Sequence, residues 1–221
     1  MKDFRIIQIS DLHGNTSFFD SLAEAIESAD LIVLSGDLTH FGGKRHAREV
    51  VDAVLALNPR VAAVGGNCDR AGVSGYLEEA GVSVDGYFRE INGFRLCGIG
   101  GSLAGPVVMP YQLTDDEFEN RLGKLLAGDE RPDIAVIHQP PFGSELDRLS
   151  SGKHVGSKAV RDFIERSGAL ICLTGHIHES IGTDTIGRTT VVNPGPARQG
   201  RYAVIEMKEG SISVELKTNG E

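Results

Sequence analysis

Phe4-Arg5-Ile6-Ile7-Gln8-Ile9-Ser10-Asp11-Leu12-His13-Gly14 runs from an apolar, β-branched stretch directly into two metal-binding side chains and a glycine. Isoleucine at this density favours a pleated strand, and a nearly continuous apolar run reads as a strand covered on both faces. The same pattern recurs along the chain. The run 31–35 ends in Gly36-Asp37, 61–64 leads to Gly66-Asn67-Cys68-Asp69, 134–137 meets His138-Gln139-Pro140, and 169–173 leads to Gly175-His176-Ile177-His178-Glu179. A further apolar run, 94–99, ends without such a side chain.

Between these runs the spacing predicts helices near 16–28, 44–57, 75–80, 115–127 and 157–167. Ser157 is placed as an N-cap, and Thr114 with Glu117 fits a capping box. The last fifty or so residues change character: 183–185, 189–192, 202–207 and 211–216, separated by Ile186-Gly187-Arg188 and Lys208-Glu209-Gly210, read as antiparallel hairpins. Together these features predict an α/β protein with a largely parallel first half, an antiparallel close, and two packed sheets flanked by helices. No repeat or linker divides the 221 residues, so 1–221 is expected to be one domain. Two long loops, 100–114 and 139–156, are expected to shape access to a site.

Each candidate donor follows a strand. In open α/β sheets ligands bind outside the carboxyl ends of the strands, so residues far apart in sequence can converge there. Asp11, His13, Asp37, Asn67, His138, His176 and His178 offer oxygen and imidazole nitrogen, the mix that suits Mn, Fe, Ni or Zn more than a thiolate set would. Seven donors exceed the needs of one tetrahedral ion and suit two ions sharing a bridging carboxylate. Any one of the seven taken alone is also explained as a polar cap, since Asp after a strand commonly caps the next helix.

Composition narrows the function classes. A hydrophobic fraction of 40% and a charged fraction of 24% belong to a globular chain, and no apolar run approaches the roughly 20 residues of a spanning helix. With no basic, apolar leader before Phe4 and an odd count of three cysteines without a CxxC pair, a reducing cytoplasm is expected, with Cys97 and Cys172 as buried thiols. The net charge of −9 argues against a sequence-independent grip on nucleic acid. Two divalent cations add four positive charges and leave −5, with the positive charge placed where an anionic substrate binds. The partners expected are a small anionic substrate, no membrane, and a second copy of the chain through an exposed edge strand of the C-terminal hairpins.

The ordered series Asp11-Leu-His13, Gly36-Asp37, Gly66-Asn67-Cys68-Asp69, His138 and Gly175-His176-Ile-His178 resembles the calcineurin-like metallophosphoesterase superfamily, whose pattern is DxH…GD…GNH[D/E]…H…GHxH. Asn193-Pro-Gly-Pro is similar to a segment that follows the last motif in many members. The resemblance spans about residues 9 to 180 and is nearest to small prokaryotic phosphodiesterases. It implies a four-layer αββα sandwich of two mixed sheets. It also implies two divalent ions, one on Asp11, His13, Asp37 and His178, the other on Asp37, Asn67, His138 and His176. Asp37 bridges them, and a metal-bridging hydroxide attacks phosphorus directly. On this reading Asp37, Asn67, Asp69 and His138 serve catalysis, while Asn67, Cys68 and His154 face the substrate. The expected activity is phosphodiester hydrolysis with monoesters as a second class. The alternatives are a phosphomonoesterase or a metal-binding interaction scaffold without turnover.

Cys68 departs from the pattern, which often has histidine there as the acid that protonates the leaving group. A thiol is a weak hydrogen-bond partner and a poor acid at neutral pH, so turnover is expected to depend strongly on leaving-group acidity. Cys68 itself reads as a packed thiol rather than a nucleophile. His154 reads equally well as a phosphate contact or a solvated loop residue. His40 reads as a solvated residue before it reads as a ligand, and His46, beside Lys44, Arg45 and Arg48, is given no role. Met109, Tyr111 and Phe142 either wall a substrate's organic part or pin the long loops.

Overall fold

A computed structural model describes residues 3–208 and 211–219. The first half runs β1 (Phe4–Ile9), α1 (Ser17–Ser21), α2 (Ala23–Ser28), β2 (Leu31–Ser35), α3 (Lys44–Leu57), β3 (Val61–Val64) and α4 (Ala71–Glu79). The middle adds β4 (Arg89–Ile91), β5 (Phe94–Ile99), β6 (Ser102–Leu103), β7 (Gln112–Leu113), α5 (Asp115–Leu125), β8 (Ile134–Ile137), α6 (Lys158–Ser167) and β9 (Ile171–Leu173). The close is β10 (Gly182–Ile186), β11 (Thr189–Asn193), β12 (Arg201–Lys208) and β13 (Ser211–Thr218).

One sheet has five strands in the order β13-β12-β1-β2-β3, and the other has six in the order β10-β11-β9-β8-β5-β4. Both are mixed. β1, β2 and β3 are parallel, as are β5, β8, β9 and β11, with antiparallel partners at the flanks. Strand period 2 divides the apolar residues between two cores. From β1, Ile7 and Ile9 pack with Val50, Val51 and Val54 of α3, while Phe4 and Ile6 pack with Leu96, Val136 and Leu173 of the facing sheet. The third core joins Cys97, Ile99, Ala135 and Ile137 to Phe118 of α5 and Phe163 of α6. Three cores between four layers make the αββα sandwich, in agreement with the sequence reading. Among the described residues no helix is long and apolar enough to cross a membrane.

Several boundaries differ from expectation. The 16–28 helix breaks at Leu22 (φ −112°, ψ 8°), where α1 ends and α2 begins. α4 starts at Ala71 rather than at 75, because Val73, Tyr76 and Leu77 share one buried face and carry it across Gly72 and Gly75. The β4–β5 hairpin was not expected, although its Asn92-Gly93 turn (φ 53° and 84°) is a strong hairpin signal. The loop 100–114 is not wholly irregular, since it contains the parallel pair β6–β7. The Thr114–Glu117 capping box and the Ser157 N-cap both form. Glu209 and Gly210 of the expected final turn lie outside the described residues.

Candidate metal centre and adjoining cavity

Backbone geometry at the strand ends aims the donors. Asp11, His13, Asp37 and His176 have φ of 55°, 49°, 49° and 69°, four of the six non-glycine residues with positive φ among those described. Such conformations cost on the order of 1 kcal/mol each and concentrate at functional sites. Here they turn the chain sharply off β1, β2 and β9. The first two turns then lie together: the Asp11 amide donates to Gly36 O (3.0 Å), and that of His13 to Asp37 O (2.9 Å). The third turn packs equally closely, because a Cβ on Gly66 would overlap the Asp37 amide.

The second sheet is brought to the same edge by polar ties across the interface. His138 Nδ1 contacts Ser35 O of β2 at 2.7 Å across the interface, and within the second sheet Gly175 N donates to His138 O at 3.1 Å. Gln8, buried in β1, donates from Nε2 to Ser35 Oγ (3.1 Å) and to Thr174 O (2.8 Å). Asn193 Nδ2 donates to the carbonyls of Ile177 and Ser180 (2.9 and 3.0 Å), which holds the loop carrying His176 and His178.

Six of the seven expected donors form one connected group. His178 Nε2 lies 3.1 Å from Asp11 Oδ1, and His138 Nε2 lies 3.2 Å from Asn67 Oδ1. The two oxygens of Asp37 face different histidines: Oδ2 is 3.8 Å from His13 Nε2, and Oδ1 is 3.6 Å from His138 Nε2. Ligand atoms of Asp11, His13 and His178 lie within 4.8 Å of one another, as do those of Asp11, Asp37 and His138. His176 is the looser member. Its amide donates to Asp11 Oδ2 (3.3 Å), and its ring centroid is 5.3 Å from that of His138, but its ring nitrogens join no such triplet among the described residues.

These residues fit divalent cations on their own chemistry. Both ring nitrogens of His13 are buried without a hydrogen-bond partner, a cost that native structures rarely carry unless a ligand or ion removes it. Burial pushes His13 down to about 4 and His176 down to about 3, so both rings are neutral, the form that ligates metal. Burial raises the Asp37 carboxyl, and the nearby Asp11 charge pushes the same way. At Asp11 burial also acts upward, but the hydrogen bond from His178 and the charge of His138 prevail and hold the carboxyl below its usual range. Two buried carboxylates with this little compensating charge suit cations.

Asp69, expected to serve catalysis, is buried and held by backbone and hydroxyl donors of the turns around it. Its Oδ2 accepts from the amides of Gly66 (2.8 Å) and Leu38 (3.0 Å), and its Oδ1 from Thr39 N (2.8 Å) and Thr39 Oγ1 (2.7 Å). The carboxylate braces the second and third turns. Cys68 is buried among the same groups. Its amide donates to Asp37 Oδ1 (2.8 Å), and its Sγ joins His13 and Asp37 beside the donors instead of lining the substrate space. Burial pushes its thiol up, so it is no thiolate.

A cavity of about 850 Å³ adjoins the donors, with Asn67 and His176 among its lining residues. The two long loops wall it with Leu103, Val107, Met109, Phe142, Lys153 and His154. Tyr111 instead pins its loop, donating to Asp85 Oδ2 (3.0 Å) and accepting from Arg121 Nη1 (3.0 Å). His40 stays exposed with its ring 5.7 Å from that of His13, and His46 is exposed beside Arg45. Sequence reading missed Gln8, Ser35 and Lys153. It missed Arg198 as well, whose Nη2 lies 3.3 Å from His178 Nδ1. None of the four belongs to a recognisable short motif.

The profile of the calcineurin-like phosphoesterases matches residues 4–180. An uncharacterized protein of Methanocaldococcus jannaschii is 34% identical over 97% of this chain and 97% of its own length. A Synechococcus protein named a probable cyclic nucleotide phosphodiesterase is 26% identical over 87% of this chain and 74% of its own. A crystal structure from Thermus thermophilus superposes with a TM-score of 0.76 at 22% identity, covering 96% of this chain and 98% of that one, a likeness of fold.

Proposed function

The chain belongs to the calcineurin-like phosphoesterase family, and we propose from that premise that it hydrolyses phosphodiesters, with monoesters as a second class, at a centre of two divalent cations. Asp11, His13, Asp37 and His178 would hold one cation, and Asp37, Asn67, His138 and His176 the other. One observation carries the reading: Asp37 presents its two oxygens to two different histidines while both nitrogens of His13 stand buried and unpartnered. When bound, two such cations lower the pKa of a shared water and neutralise charge developing on phosphoryl oxygens.

The protein's own groups do the positioning. Asp69 and the paired turn amides keep Asp37 and Asn67 in place, and the Ser35 carbonyl fixes the His138 ring. The cavity beyond Asn67 and His176 has room for the second ester arm of a diester, and its Leu103, Val107, Met109 and Phe142 wall favours an organic group there. That wall, and the name carried by the Synechococcus relative, are the support for a diester over a monoester.

Chelator-stripped protein reloaded with Mn, Ni, Zn or Mg is expected to cleave bis(p-nitrophenyl) phosphate faster than p-nitrophenyl phosphate. Asp37→Asn and His138→Ala should each lose more than the roughly 10–100-fold that removal of a supporting partner costs. A protein that holds two ions yet turns over neither substrate would be a scaffold.

A further inference from the structure

Asp147 and His154 form a buried-acid and histidine pair inside the loop that walls the cavity. Asp147 is fully buried. Its Oδ2 accepts from the amides of Gly143 (3.1 Å) and Gly156 (2.8 Å), and its Oδ1 lies 2.7 Å from His154 Nδ1. Three hydrogen bonds fix the carboxylate at both ends of the loop and fix the imidazole edge that faces it. The opposite nitrogen, His154 Nε2, makes no hydrogen bond among the described residues, and the ring borders the cavity that Asn67 and His176 also border. A carboxylate that sets the tautomer and orientation of an imidazole, leaving the other nitrogen toward substrate, is the arrangement used for proton transfer.

We infer that His154 is the catalytic acid that protonates the leaving group, with Asp147 as its positioning residue, in place of the histidine that Cys68 supplants. The inference rests on the phosphoesterase reading. Displacement in line puts the leaving oxygen opposite the attacking one. Asn67 and His176 line the same cavity as His154, and we place the leaving arm of a phosphoester held by Asn67 and His176 in that shared space. Hydroxide oxygen bonds to phosphorus as the bond to the leaving oxygen breaks. The electron pair stays on that oxygen, which takes the Nε2 proton. His154 is left neutral and recovers a proton from solvent, to which its half-buried ring is open. Cys68 stands apart from this path, with its Sγ beside His13 and Asp37. The strong leaving-group dependence expected from Cys68 alone is thereby replaced by a shallow one.

The test compares Mn-loaded wild type with His154→Asn on bis(p-nitrophenyl) phosphate and on diphenyl phosphate, whose phenol is the poorer leaving group. Asparagine keeps a polar group facing Asp147 and has nothing at the Nε2 position, so the loop tie is retained while the acid is removed. Diphenyl phosphate turnover should fall about 10²–10⁴-fold, and the activated diester far less. Asp147→Asn should shift the ratio of the two rates in the same direction, with thermal melting confirming the fold. Equal losses on both substrates, or an unchanged ratio, overturn the inference and leave the loop pair as a structural tie. Absence of metal-dependent turnover in wild type sinks the phosphoesterase reading, and this inference with it.

Discussion

Gly66 shows how tightly single residues are constrained at this centre. Its Cα faces the Asp37 amide and carboxylate, and a methyl group there has nowhere to go. Gly66→Ala is therefore expected to cost about 1–3 kcal/mol, the range for overpacking, and to weaken metal binding by displacing Asp37. Denaturant unfolding and a metal titration read the two effects, and an alanine variant with unchanged unfolding midpoint would contradict the packing. The donors were legible because each sits immediately after an apolar run, where a short motif and its place on a strand coincide. Gln8 was not legible: in sequence it is one polar residue inside a strand, and its partners come from two places far along the chain, Ser35 Oγ on the neighbouring strand β2 and Thr174 O on the facing sheet. The pairing of Asp147 with His154 escaped for the same reason, since the loop fold that joins them comes from hydrogen bonds to Gly143 and Gly156.

Among the elements, those with local causes could be read and those with tertiary causes could not. α5 begins where its capping box says, because Thr114 and Glu117 satisfy each other's orphan groups without help from the rest of the chain. α4 depends on its buried face to hold a segment that two glycines weaken. Gly75 within it is exposed, and nothing lies within 4 Å of a Cβ placed there. Gly75→Ala is thus expected to raise stability by about 0.5–1 kcal/mol with activity unaltered, as measured by chemical denaturation. A loss of stability would mean that the backbone of α4 departs from helix at that point. The β4–β5 hairpin was legible in principle at Asn92-Gly93. It was missed because β4 has only three residues, too few for a period to stand out.

At the scale of the whole molecule, the centre spans the two sheets: Asp11, Asp37 and Asn67 follow strands of one, while His138, His176 and His178 follow strands of the other. Ions that bind only this juxtaposition stabilise the entire fold by mass action, about 2.7 kcal/mol at a hundredfold excess over Kd. For a chain of this size, reloading the stripped protein should raise the melting temperature by roughly 5–10 °C, and Asp37→Asn should remove most of that rise. An equal rise in the variant would place the ions elsewhere. The four-layer plan could be read because the apolar runs and helical segments alternate. The sheet order could not, since the pairing of β1 with β12 joins Ile6 to Ile205. That pairing bears on how the protein is made. On the ribosome every candidate metal ligand, from Asp11 to His178, emerges before the strand that closes the open edge of β1. Until Arg201–Lys208 is synthesised, that edge is exposed to other nascent chains, so a chaperone has more to protect during translation than after release.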